Sequence, residues 1–242
     1  TALADDQIHY ENIWGVADED LFTLTLNEID EATKENNRPV FAHVMTTSNH
    51  RPFTYPEGRI DIPSHSSRAG AVKYTDYAIG QFIKRASRES WFANTVFVIV
   101  ADHCASSAGK TELPVQKYHI PMLVYSPTNV PPGKMNRLMS QIDVSPSILG
   151  LLNFSYRSKF YGYDIFKLEP GRERAFISTY QSLGYIKDKT LVVLSPRQKT
   201  ECFALSDTME IIAESRDSTA VQEAIAWYQT ASYSFQHGLM KE

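Results

Sequence analysis

Thr95-Val-Phe-Val-Ile-Val-Ala101 is an unbroken apolar run, largely β-branched, and Asp102-His103 follows it at once. Such a run is too short for a free-standing helix. It predicts a strand covered on both faces, as in a parallel sheet. Open parallel sheets carry their chemistry just beyond the carboxyl ends of the strands. A carboxylate followed by an imidazole at that spot offers one hard and one borderline metal ligand.

The flanking sequence completes a βαβ unit. Val40–Met45 reads as a buried strand, Thr46–Ser67 as a polar loop and Arg68–Ser90 as a long helix, so the crossover is expected to be right-handed. Upstream, Asp18-Glu-Asp20 caps a helix from Leu21 to Lys34, and Asn36-Asn37-Arg38-Pro39 ends it. Downstream, Cys104–Tyr118 reads as loop, Ile120–Tyr125 as a short strand and Val130-Pro-Pro-Gly133 as a turn. A helix over Asp143–Leu152 accommodates Pro146 in its first turn and directs Val144, Ile148, Leu151 and Leu152 inward.

Beyond Arg172 the texture changes. Ala175–Tyr180, Leu183–Ile186, Thr190–Leu194 and Glu201–Leu205 read as short strands, with Lys187-Asp-Lys189 as a hairpin turn and Thr219–Met240 as a closing helix. The expected fold is α/β: a mainly parallel sheet with helices on both faces, plus a small antiparallel C-terminal element. Residues 1–170 form the first part, and residues 171–242 form the antiparallel strands and closing helix.

Bulk properties narrow the function. The 242 residues are 43% hydrophobic and 21% charged, with 24 basic and 28 acidic side chains and a net charge of −4. No basic stripe stands out, which argues against nucleic acid as a partner. No apolar run approaches the roughly 20 residues that cross a bilayer, and no signal peptide is visible. Cys104 and Cys202 leave both their pairing and the redox compartment open. The chain starts at Thr1 within what reads as running sequence, so it is expected to be a piece of something longer. Its oligomeric state is open.

Three segments are expected to end at one rim: Asn49-His50, Asp102-His103 and Tyr118-His119. His43, inside a strand pattern, is expected in the core. His65 is expected in solvent, and His9 and His237 have no evident partner in the sequence.

A family resemblance rests on five segments in order. Ile13-Trp-Gly-Val-Ala-Asp-Glu-Asp-Leu-Phe22, Ser48-Asn-His-Arg-Pro-Phe53, Val98-Ile-Val-Ala-Asp-His103, Tyr118-His-Ile-Pro-Met-Leu-Val-Tyr-Ser-Pro127 and Gln141-Ile-Asp-Val-Ser-Pro-Ser-Ile-Leu-Gly150 resemble segments of lipoteichoic acid synthases and related phosphoglycerol transferases. These belong to the sulfatase and alkaline phosphatase superfamily. The resemblance implies a metal-activated Thr nucleophile that takes a phosphoryl-containing group and passes it to an acceptor or to water. It implies Asp102 and His103 as metal ligands. It also implies His50 as the catalytic imidazole, with Trp14, Arg51 and His119 joining it in binding substrate; Arg68 is a further candidate. The implied cofactor is a divalent ion, Mn²⁺ foremost, with Zn²⁺, Mg²⁺ or Ca²⁺ as alternatives. The implied substrate is a phospholipid- or glycan-linked phosphodiester. The implied location is the inner membrane, with this domain in the periplasm.

Two departures stand out. Ala101 replaces the family's Gly before Asp-His. The family's nucleophile and an acidic ligand lie well upstream of the Trp-Gly segment, whereas only thirteen residues precede Trp14. Thr46 and Thr47 follow a strand pattern but stand in the wrong segment. The expectation is therefore a C-terminal portion of the catalytic domain, partnered by an N-terminal part of the same protein. Two rival readings are a true sulfatase, acting on sulfate esters, and a non-catalytic module that binds a polyol phosphate or a partner.

Overall fold

Residues 4–36, 38–105 and 113–241 are described in the computed structural model of the chain. Asn37, within the expected end of the first helix, and residues 106–112, within the expected 104–118 loop, lie outside the described residues. The chain divides into two compact units: residues 1–97 with 124–131, and residues 98–123 with 132–242.

The first unit opens on a miniature hairpin, β1 (Glu11–Asn12) and β2 (Gly15–Val16), paired antiparallel with Asn12 opposite Gly15. Ile13 and Trp14 form its tip. Gly15 sits at φ +137°, a conformation that an L side chain rarely adopts, which accounts for glycine after the tryptophan. Helix α1 (Asp18–Asn36) follows, starting three residues earlier than expected, so its acids occupy the first turn, where the helix dipole favours them. Helix α2 (Arg68–Ala86) begins where expected; its N-cap Ser67 accepts from the Gly70 amide. The helices share a core of Phe22, Leu26, Ala78, Phe82 and Ala86, with the Phe22 and Phe82 rings stacked 4.7 Å apart.

Val40–Met45 does not form the expected buried strand. It has no regular secondary structure, and Phe41 is 86% exposed. Only Val44 packs against the α1–α2 core. An apolar run signals a strand, but a strand exists only through a neighbour's hydrogen bonds, and none is present among the described residues. His43 is accordingly exposed rather than in the core.

Strand β3 (Phe97–Val100) pairs with β4 (Met122–Tyr125). Neither is fully covered, because β3 is half-buried along its length and its last residue, Val100, is exposed. Helix α3 (Val144–Leu151) buries Pro146 and Ser147. Val144, Ile148 and Leu151 are only half-buried, and Leu152 is exposed. The inward face is set by a polar contact: the Ser147 hydroxyl donates to Asp143 O at 2.6 Å and accepts from the Ile165 amide at 3.0 Å.

The second unit carries a five-stranded antiparallel meander: β5 (Ala175–Ser178), β6 (Leu183–Lys187), β7 (Thr190–Ser195), β8 (Lys199–Leu205) and β9 (Ile211–Glu214). Four strands were legible. β9 was not, because it is exposed throughout and so lacks the alternation that betrays a half-buried strand. The Lys187-Asp-Lys189 turn has the expected hairpin chemistry, with positive φ at Asp188 and Lys189 and Lys187 opposite Thr190. Helix α4 (Ser218–Gln236), capped by Asp217, covers the face bearing Tyr185, Val192 and Cys202. The opposite face buries Ala175, Ile186, Leu191 and Leu205. Cys104 and Cys202 are both buried and free.

Candidate active site

The expected site residues fall into two sets, one in each unit. In the first unit, the Trp14 and His50 rings meet in a tilted contact, with centroids 3.8 Å apart and planes inclined at 46°. Both donate to one acceptor, the Arg51 carbonyl: Trp14 through Nε1 at 2.5 Å and His50 through Nδ1 at 3.1 Å. A carbonyl can only accept, so His50 carries its proton on Nδ1 in the neutral ring, which leaves Nε2 available to a ligand. The Arg51–Pro52 peptide is cis, and Arg68 lies over the Phe53 ring at 5.3 Å.

This loop is anchored by a residue whose role is not visible in the sequence. Asp18 is fully buried. Its Oδ1 accepts from the Thr47 and Ser48 amides at 3.1 and 3.0 Å, and its Oδ2 accepts from the Thr75 hydroxyl at 2.9 Å. The Ser48 hydroxyl in turn accepts from the Asp18 amide. Its position two residues after the Gly-Val of the Trp-Gly segment was the only available signal, and it also reads as an ordinary helix-start acid. Thr47 is committed elsewhere, since its hydroxyl donates to Val16 O at 3.1 Å. Asp18→Ala would strand one buried amide, that of Ser48, and one half-buried amide, that of Thr47. It is expected to lower stability by about 3 kcal/mol and to speed hydrogen exchange at the Thr47 and Ser48 amides, which NMR would check.

His9 does have a partner: Nδ1 lies 2.7 Å from Oδ1 of the buried Asp20. His237 stacks on Tyr233 and donates to its carbonyl. His65 is exposed, as expected.

In the second unit, Asp102 and His103 follow β3 and are both exposed. His103 Nδ1 donates to Cys104 O at 2.8 Å, again leaving Nε2 free, and Nε2 lies 3.6 Å from Asp102 Oδ2. Two ligands of a tetrahedral ion, each about 2.1 Å from it, lie about 3.4 Å apart. A backbone carbonyl on the opposite ring nitrogen is the usual orienting contact of a metal-binding histidine. The donor pair therefore fits a divalent ion as half of a site. Among the described residues no group of three or more His, Cys, Asp or Glu side chains completes one.

Gln141 holds the strand end in place: its Nε2 donates to both Ala101 O and Asp102 O at 2.7 Å. Gln141 lies in one of the matched segments, but nothing in the sequence marks it for this task. His119 is exposed. Its neighbour Tyr118 donates to Ser178 O at 2.9 Å, and burial raises the Tyr118 phenol above its ordinary pKa, with Cys104 adding to the effect.

The Sulfatase family model matches residues 2–154, more than half of the chain. The chain belongs to the sulfatase family. Within the sulfatase and alkaline phosphatase superfamily it is a lipoteichoic-acid-synthase-like member. It is 25% identical over 176 residues to lipoteichoic acid synthase-like YvgJ of Bacillus subtilis (strain 168), covering 63% of this chain and 28% of that protein. It is 26% identical over 168 residues to lipoteichoic acid synthase 2 of the same organism, covering 58% of this chain and 26% of that protein. The chain thus spans about a quarter of the length of these relatives. Among solved structures, an alkaline phosphatase superfamily protein from Vibrio parahaemolyticus superposes with TM-score 0.90 at 33% identity, over 97% of this chain and 58% of that one. The lipoteichoic acid synthase LtaP from Listeria monocytogenes shares the fold, with TM-score 0.71 at 21% identity over 92% of this chain and 59% of that one.

Proposed function

We propose that this chain is part of a metal-dependent enzyme that transfers or hydrolyses phosphoglycerol-type phosphodiesters. One observation carries the proposal: Trp14 and His50 interlock on the Arg51 carbonyl, which orients an imidazole with a free Nε2 beside an aromatic wall. An imidazole so held can donate to a phosphoryl oxygen or move a proton, and an indole face suits the carbons of a polyol. In this proposal Arg51 and His119 also contact substrate, and Asp102 and His103 ligate the ion. A bound divalent ion activates the nucleophile and offsets charge on the phosphoryl oxygens. The relatives' names, lipoteichoic acid synthases, favour phosphoglycerol transfer.

The nucleophile is proposed to come from a segment outside these 242 residues, because the matched segments do not include the family's nucleophile segment; the Thr47 hydroxyl donates to Val16 O. The substrate is proposed to be linked to a phospholipid or glycan. The full-length protein is proposed to sit in the inner membrane with this portion in the periplasm. Among the described residues no helix is long and apolar enough to cross a membrane. The family model itself keeps a second reading in play, sulfate-ester hydrolysis.

The test uses the full-length protein with Mn²⁺ on an aryl phosphodiester and on an aryl sulfate. Turnover of the phosphodiester, lost on chelation, is expected, with little on the sulfate. The 242-residue chain alone is expected to show background only, because a covalent nucleophile supplies much of the acceleration. Preference for the aryl sulfate, or turnover that survives chelation, would overturn the proposal.

A further inference from the structure

The second unit holds a small cavity, about 120 Å³, between the meander and α4. Its wall carries three cations, Arg172, Arg174 and Lys187, against one carboxylate, Glu223, with the rings of Tyr163 and Trp227 beside them. At about 30 Å³ per water, it has room for a group of phosphate size.

The cations are unequally satisfied. Arg174 is buried, and its terminal nitrogens bond to Asp143 and Tyr161 O, yet its Nε has no hydrogen-bond partner. The Arg174 guanidinium lies 4.3 Å from the Tyr163 ring centre and 5.1 Å from that of Trp227. Arg172 reaches the same Tyr163 ring at 5.4 Å, and among the described residues no carboxylate pairs with it. Lys187 is held by both Glu223 oxygens at 2.8 and 2.9 Å, and the Tyr185 hydroxyl donates to the same carboxylate. Asp143 balances Arg174 and Glu223 balances Lys187, so the one cationic charge of this wall without a carboxylate among the described residues is that of Arg172. A buried donor without a partner is costly, and a cavity with one cation in excess favours an anion. Forked guanidinium donors match tetrahedral oxyanions in particular.

We propose that this cavity binds a phosphate-sized oxyanion, carried either as free phosphate, as a phosphorylated polyol or as a lipid headgroup. Glu223 then acts as the internal competitor that occupies Lys187 until the anion arrives. No feature of the proposed catalytic residues enters this proposal.

The test is calorimetric titration of the 242-residue chain with inorganic phosphate at low ionic strength, with a dissociation constant of about 1 mM or tighter expected. Arg172→Gln and Lys187→Gln should each weaken binding about fivefold. Glu223→Gln should do the opposite and tighten it severalfold, by releasing Lys187. A purely structural role for these residues would not produce that reversal of sign. Circular dichroism and urea midpoints verify that each variant is folded. Glycerol 3-phosphate and vesicles of phosphatidylglycerol against phosphatidylcholine form the remaining arms. Tighter binding of glycerol 3-phosphate identifies a polyol, selective pelleting with phosphatidylglycerol identifies a headgroup, and neither leaves free phosphate as the ligand. No binding up to about 20 mM phosphate, or an affinity indifferent to all three substitutions, overturns the proposal.

Discussion

Asp102→Ala in the full-length protein is expected to cut phosphodiester turnover by about a thousandfold, the equivalent of several kcal/mol of charge stabilisation by a metal ion. It is also expected to remove most of the Mn²⁺ affinity. Asp102 Oδ2 and His103 Nε2 stand 3.6 Å apart, and losing one leaves a single side-chain donor from this pair. His103→Ala should behave similarly. Gln141→Ala should cost less, about tenfold, because it touches only the backbone behind the proposed ligands. Asp61→Ala is the control: Asp61 is exposed, and Lys73 beside it holds its carboxyl below the usual carboxylate range. It should change neither metal affinity nor rate. Calorimetric titration with Mn²⁺ and steady-state kinetics on the four variants decide the matter. If Asp102→Ala binds Mn²⁺ as tightly as the parent, the pair is merely the polar end of β3.

Legibility followed the physics of each element. Helices α1, α2 and α4 and strands β5 to β8 announced themselves through caps, turns and alternation, all of which are local. Trp14, His50 and Arg51 were picked out individually, yet their meeting at one carbonyl depends on a hairpin tip and a loop 37 residues apart in sequence for the Trp14–Arg51 bond. Asp18 escaped because a helix-start acid and a buried loop anchor look alike until the loop is in place. Val40–Met45 misled for the converse reason: composition reports what a segment would bury, not whether a neighbour is there to bury it. The buried status of Arg174 was invisible, because arginine is a surface residue by default and only its encirclement by Tyr163, Phe176 and Trp227 makes it otherwise.

That encirclement sets up the largest expected stability effect. Arg174→Met should destabilise the protein by about 3–5 kcal/mol, because removing one partner of a buried ion pair leaves the other uncompensated. Arg174 and Asp143 are 2% and 1% exposed and joined by two bonds of 2.8 and 2.9 Å. Methionine retains length and an apolar surface for the three rings, so the loss reports the charge rather than a void. Asp143 would keep only the Ser140 and Tyr163 amides. Asp143→Asn should be costly too, but the double substitution should cost less than the two together, by about 1–3 kcal/mol. Urea unfolding followed by fluorescence, with Trp227 beside Arg174 as a reporter, measures all four corners of the cycle. Strict additivity would mean that the pair is not coupled. The consequence also reaches beyond stability. Asp143 closes the turn that begins at Ser140, through the reciprocal bonds of a capping box, and Gln141 in that turn holds the Asp102 carbonyl. Folded Arg174→Met should therefore bind Mn²⁺ more weakly than the parent even where no unfolded protein remains.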